Sequence, residues 1–137
     1  MKVFGNRVDT DITGETAVPN GQNGIRLNGD SELEIGGMQP GQRNLVSGNA
    51  RGLLIQGSGN CIRGNIIGLD KDAATVLPNM GGSGGHGIQV SGGNNNIIGG
   101  EEPGAGNIVA GNAGHGVLFQ SGTGNVLSEN FIGTNSS

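Results

Sequence analysis

The phrase "RNLVSGNARGLLIQGSGN" at residues 43–60 returns as "GNIVAGNAGHGVLFQSGTGN" at 106–125. This internal echo constrains the fold more than any single residue does, because self-similarity at such a period marks a supersecondary unit stacked on copies of itself. Asn44 falls on Asn107, Gly52 falls on Gly116, and "AVPN" (17–20) returns as "VLPN" (76–79). Each long unit divides into three families of short apolar segments. The first holds "NGIRLNG", "RGLLIQG", "HGIQVSG" and "HGVLFQSG". The second holds "LEIGG", "CIRGN", "IIGG" and "VLSEN", and the opening "KVFGN" belongs with it. The third holds "NRVDTD", "NLVSGN", "NIIGLD", "NIVAGN" and "NFIGTN". The order is always first, second, third.

Three strand families in fixed order predict a coil of three strands, each coil stacked on the last. Each family then forms one parallel sheet with about 4.8 Å between rungs. The expected fold is all-β: a single domain over 1–137, a parallel β-helix solenoid of about four coils of three short strands. Alternation supports it. Ile25, Leu53, Ile88 and Val117 point inward, as do Leu27, Ile55, Val90 and Phe119. Arg26, Leu54, Gln89 and Leu118 face out, followed by Asn28, Gln56, Ser91 and Gln120. The 31 glycines and 32% hydrophobic content would suggest low complexity without a period. At that glycine density an amphipathic helix is excluded.

The asparagines mark the corners. Asn6, Asn44, Asn65, Asn107 and Asn130 share the turn between second and third strands, and Asn60, Asn96 and Asn125 share the turn between first and second. Asn tolerates the left-handed backbone of a tight corner. Stacked amides can also donate to one another from rung to rung, forming a structural ladder.

The motifs "NLVSGN", "GSGNCIRGNIIGLD", "GGNNNIIGG", "GAGNIVAGN" and "NFIGTN" cover essentially the whole chain. In them the sequence resembles the bacterial right-handed parallel β-helix repeat proteins of the pectate-lyase-like superfamily. The resemblance implies a right-handed, single-stranded helix and a family often extracellular or surface-associated. It does not select a function, since the superfamily includes lyases, glycoside hydrolases, epimerases, adhesins and structural stalks.

Loops that interrupt the coils are where such a scaffold carries function. "TDITGETAVPN" and "LDKDAATVLPN" follow the third strand in alternate coils, and "GGMQPGQRN" and "GGEEPGAGN" separate second from third strands in the others. Asp9, Asp11, Glu15, Asp70 and Asp72 gather in the first pair. Column alignment places Asp11 and Asp70 two rungs apart, about 10 Å, with Asn49 between. That separation sits at the edge of the range for inverting-hydrolase carboxylates. Asp11 and Asp70 are equally candidates for a Ca²⁺ site, which takes oxygen ligands; the competing reading is polar turn residues on solvated loops. Glu101 and Glu102 read as solvated loop.

"GHG" at 85–87 looks like the histidine motif of polygalacturonase-type glycosidases. That family also needs an adjacent acidic pair one coil earlier and a basic triplet afterwards, and this chain has neither. "HG" recurs at His115–Gly116, where earlier coils read Asn23–Gly24 and Arg51–Gly52, so the coil pattern itself produces the triplet. His86 and His115 stack within about 5 Å, close enough to titrate as a pair or share a metal. Calcium-binding nonapeptide repeats are absent, and the outward columns do not form the flat Thr array of an ice-binding face. Arg26 is the one cation on the outer face of the first sheet, too little for a lyase.

A net charge of −4 with neither Trp nor Tyr argues against nucleic acid as a partner. The opening "MKVFGNRVDTD" lacks the apolar core of a signal peptide, and no apolar run is long enough to span a membrane. Cys61 is the single cysteine, so no internal disulfide forms. The expected role is a non-catalytic β-helix module, structural or adhesin-like in interaction. The alternative is a carbohydrate-binding or carbohydrate-active protein acting on a polysaccharide. A coil end with open strand edges further predicts a homodimer, formed at the first coil, where Ile25 and Leu27 stand uncovered.

Overall fold

The computed structural model describes residues 1–29, 31–82 and 84–133. Asn135, aligned by sequence with Asp11 and Asp70, lies outside them. The first coil comprises β1 (Lys2–Val3), β2 (Arg7–Val8) and β3 (Asn23–Leu27), and the second β4 (Glu34–Ile35), β5 (Leu45–Val46) and β6 (Arg51–Ile55). The third comprises β7 (Cys61–Ile62), β8 (Ile66–Ile67) and β9 (Ile88–Ser91). β10 (Ile97–Gly99), β11 (Ile108–Val109) and β12 (Val117–Ser121) form the fourth, and β13 (Val126–Ser128) and β14 (Phe131–Ile132) lie above it.

Each family makes one sheet: β3-β6-β9-β12, β1-β4-β7-β10-β13 and β2-β5-β8-β11-β14. All neighbours are parallel, and the fold is a parallel β-helix. Ile25 pairs with Leu53, Leu53 with Ile88 and Ile88 with Val117, as alternation requires. One outward column departs from it. The register shifts between Phe119 and Ser121, so Ser91 pairs with Ser121 rather than with Gln120. The side-chain Oε1 of the displaced Gln120 accepts from Gln89 Nε2 at 2.6 Å and from Ser91 Oγ at 3.2 Å.

The core is a stack of aliphatics from all three sheets. Ile35, Ile62 and Ile98 come from the second, Val46, Ile67 and Val109 from the third, and Leu53, Ile55, Ile88 and Val90 from the first. The first coil is better covered than the sequence suggests, because Leu27 is only 3% exposed and Ile25 is half-buried. The uncovered end is the last coil. There the inward residues Phe119, Leu127 and Ile132 are 40%, 42% and 41% exposed, whereas Val90, Ile98 and Val109 one rung below are fully buried.

The corner column between second and third strands is a continuous amide ladder. Asn6, Asn44, Asn65 and Asn107 each donate Nδ2–H to the Oδ1 of the next member at 2.8–2.9 Å, ending on Asn130. Each acceptor also takes the donor residue's own backbone N–H. The second amide hydrogen of Asn44, Asn65, Asn107 and Asn130 goes to the carbonyls of Val3, Ile35, Ile62 and Ile98. Buried amides are thereby satisfied at a turn where no strand partner reaches them. Asn60, Asn96 and Asn125 repeat the arrangement.

Two corner details differ from expectation. The ladder asparagines are not themselves left-handed; at several of them the preceding residue is, as with Gly64 (φ +64°) before Asn65 and Glu129 (φ +53°) before Asn130, whereas Arg43 before Asn44 is extended (φ −65°). A third ladder, Asn49–Asn79–Asn112, closes the corner between third and first strands. Above Asn49 therefore stands Asn79, not Asp70. The loop "LDKDAATVLP" bulges out of the coil, and the chain re-enters it only at Asn79.

Candidate functional site

The two acidic loops share one construction. Thr10 bridges Ala17 and Leu69 bridges Val76, both antiparallel, so each loop is a small hairpin standing off the coil. Asp11 N–H bonds Thr16 O and Asp70 N–H bonds Thr75 O, both at 2.8 Å. The carboxylates close the same turns from within. Asp11 accepts from the Thr13 hydroxyl and from the N–H groups of Gly14, Glu15 and Thr16, and Asp70 accepts from Ala74 N–H at 2.9 Å.

These bonds shift both acids. The Thr13 hydroxyl foremost, with the Glu15, Thr16 and Gly14 amides, holds Asp11 below the usual carboxylate range against a smaller effect of burial. Burial pushes Asp70 upward, but the amides of Ala74, Thr75 and Asp72 and the Thr75 hydroxyl outweigh it and leave the group lowered. Both aspartates act as turn-closing residues. The hairpins also touch: Lys71 N–H bonds Gly14 O at 3.0 Å, and Lys71 Nζ lies 3.3 Å from Glu15 and 2.6 Å from Asp72. Among the described residues no three of His, Cys, Asp and Glu come together as a metal cluster.

His86 and His115 stack as the coil pattern requires, with ring centroids 5.2 Å apart and planes inclined by 13°. His86 Nδ1 accepts the His115 backbone N–H at 3.0 Å, which places the proton of the neutral ring on Nε2. Burial, then the neighbouring His115 and Arg51, lower the His86 pKa. Arg26 lies on the opposite side of the first sheet's core column and donates Nε–H to Gln56 Oε1 at 3.1 Å. The structure therefore distributes the sequence candidates. Asp11, Asp70 and Asp72 sit on the paired hairpins, His86 and His115 at the entry to the first sheet, and Arg26 on that sheet's outer face.

Sequence reading did not find the concavity on the outer face of the third sheet. The outward column Arg7, Leu45, Ile66, Ile108 and Phe131 runs up this face. The 3₁₀ turn Pro40–Gln42 walls it on one side and Lys71–Ala73 on the other, enclosing about 510 Å³. Leu45 and Ile66 are only 5% and 7% exposed although they point away from the main core. They pack with Leu69, Ala73 and Ala110 in a separate apolar cluster. The signal in the sequence was the pair "NLV" and "NII", whose first apolar residue would otherwise face solvent. No protein-family model, curated protein or solved structure matches this chain.

Proposed function

We propose that the chain is a non-catalytic β-helix module with a structural or interaction role. The observation that carries this reading is that the asparagines of the corners and the aspartates of the hairpins are taken up by the coil itself. Three amide ladders close the corners, and Asp11 and Asp70 bind the backbone of their own hairpins. A carboxylate that accepts several local N–H bonds is held as an anion, the reverse of what a general acid at neutral pH requires. The likeness of the coil motifs to β-helix repeat proteins, which include stalks and adhesins, agrees with the same role.

The partner that fits this role is a second copy of the chain, meeting it through the last coil, where Phe119, Leu127 and Ile132 are uncovered. The catalytic alternative is tested directly. Reducing-end and unsaturated-product assays on pectic, alginate and glucan polymers should stay at background. Turnover that His86→Ala abolishes would overturn the proposal.

A further inference from the structure

We infer that Asn20–Gly21 is a self-modifying step, at which the Gly21 amide nitrogen closes on the Asn20 side chain and Asp9 attends the nitrogen that leaves. This is a single covalent event within one chain, so the inference does not rest on the structural role or the self-association proposed above.

The sequence holds three Asn-Gly steps, Asn20–Gly21, Asn23–Gly24 and Asn28–Gly29. Glycine after asparagine leaves the attacking nitrogen unshielded by a side chain, so the dipeptide alone treats all three alike. The structure separates them. Asn23–Gly24 lies within β3, where Asn23 is in register with Arg51 and its Oδ1 accepts from Arg51 Nη1 at 2.7 Å. A Cβ on Gly24 would stand 2.5 Å from Val46 Cγ1 and 2.8 Å from Asn49 Nδ2, so the backbone has no room to turn into a ring. Asn20–Gly21 lies outside the strands with both residues exposed, and a Cβ on Gly21 would meet nothing within 4 Å. Asn28–Gly29 is exposed and open in the same way.

The setting of its side chain distinguishes Asn20. Gln22 N–H donates to Asn20 Oδ1 at 2.7 Å, the atom on which negative charge develops when the carbonyl carbon is attacked. Asn20 Nδ2 donates to Asp9 Oδ2 at 2.6 Å and to the Asn23 carbonyl at 3.4 Å. Burial raises the Asp9 pKa, which favours the protonated carboxyl that a departing amine requires. The chemistry balances with water alone. Gly21 N yields its proton to solvent and bonds Asn20 Cγ. The Cγ–Nδ2 bond breaks, and Nδ2 takes a proton from Asp9 and leaves as ammonia; solvent returns the proton to Asp9. Water then opens the cyclic imide at either carbonyl, leaving aspartate or its β-linked isomer. Each product sets a carboxylate where an amide donor faced Asp9, so an attraction at the base of the first hairpin becomes a repulsion.

The test is peptide mapping by mass spectrometry of the intact chain after incubation at neutral pH, folded and in urea. In the folded chain Asn20 is expected to convert at least about tenfold faster than Asn23, and ahead of Asn28; in urea the gap closes, because only the fold tells the three apart. Asp9→Asn keeps a residue suited to the left-handed backbone at that position (φ +61°). It is expected to slow Asn20 by at least about tenfold and to leave Asn28 unchanged. Equal folded rates at Asn20 and Asn23 would overturn the inference. So would conversion of Asn28 ahead of Asn20, or an Asp9→Asn chain that converts Asn20 at the parent rate.

Discussion

At the residue scale, the interior of an amide ladder differs from its ends. Asn65 is fully buried, donates to Asn107 and Ile35, and accepts from Asn44. Replacing it with Ala takes the acceptor from both the side-chain amide and the backbone N–H of Asn44, while the Ile35 carbonyl keeps the Arg63 N–H, and the expected loss is about 1–3 kcal/mol. Asn107→Ala behaves alike. Asn6 is exposed at the lower end, where water replaces its bonds, and Asn6→Ala costs much less. Urea unfolding measures all three, and equal losses would contradict the ladder. The corner backbone makes a second contrast. Gly64 is left-handed and a Cβ there would run into the Gly37 carbonyl, whereas Glu129 adopts the same conformation with a side chain. Glu129→Gly should therefore raise stability, by about 0.5–1 kcal/mol once the greater chain entropy of glycine is subtracted. A fall in the unfolding midpoint would contradict that.

At the element scale, two local devices predict how stability varies with pH. In the His86–His115 stack the His86 pKa is lowered in the folded state from 6.5, so below that pH the unfolded chain binds more protons. Stability is then fully present above pH 6.5 and declines as the pH falls toward the folded value. Protonation also removes the Nδ1 acceptor that holds the His115 N–H. The acidic hairpins act in a lower window. Asp11 and Asp70 are lowered from 3.8, so their contribution is present above that value and is lost as the pH falls through the folded pKa values. Denaturant midpoints across pH 3–8 should show both declines, by the ordinary carboxylate and imidazole ranges. His86→Gln should remove only the upper one. An unchanged upper decline in that variant would place its source elsewhere.

At the scale of the whole molecule, the last coil of the described residues is the one whose inward side chains are most exposed. It presents the edges of β12, β13 and β14 together with the uncovered side chains of Phe119, Leu127 and Ile132. Two-fold pairing of this end with its counterpart covers the apolar patch against itself and produces an assembly that closes. Light scattering during size exclusion at micromolar concentration should give twice the 13.6 kDa of one chain. Leu127→Asp, which places a charge in the patch, should return it to a monomer with an unchanged far-ultraviolet spectrum. A wild-type chain that runs as a 13.6 kDa monomer would exclude the dimer.

The period of the sequence by itself determined the three sheets, their register up to the shift after Phe119, and two of the three ladders. Parallel strands that pair rung on rung place every residue beside its counterpart one coil away, so alignment of the repeat is already a map of contacts. The period carries no such information about residues that interrupt it. Asp70 aligns with Asn49 in sequence, yet Asn79 takes that corner, because the hairpin closed by Asp70 stands outside the coil. Leu45 and Ile66 alternate outward and are nevertheless buried, because the hairpin residues Leu69 and Ala73 pack over them. The cavity beside them joins Arg7, Arg43 and Lys71 from three different coils. Only the tertiary structure decided these placements, since where an insertion folds back depends on the surfaces it meets rather than on the repeat it leaves.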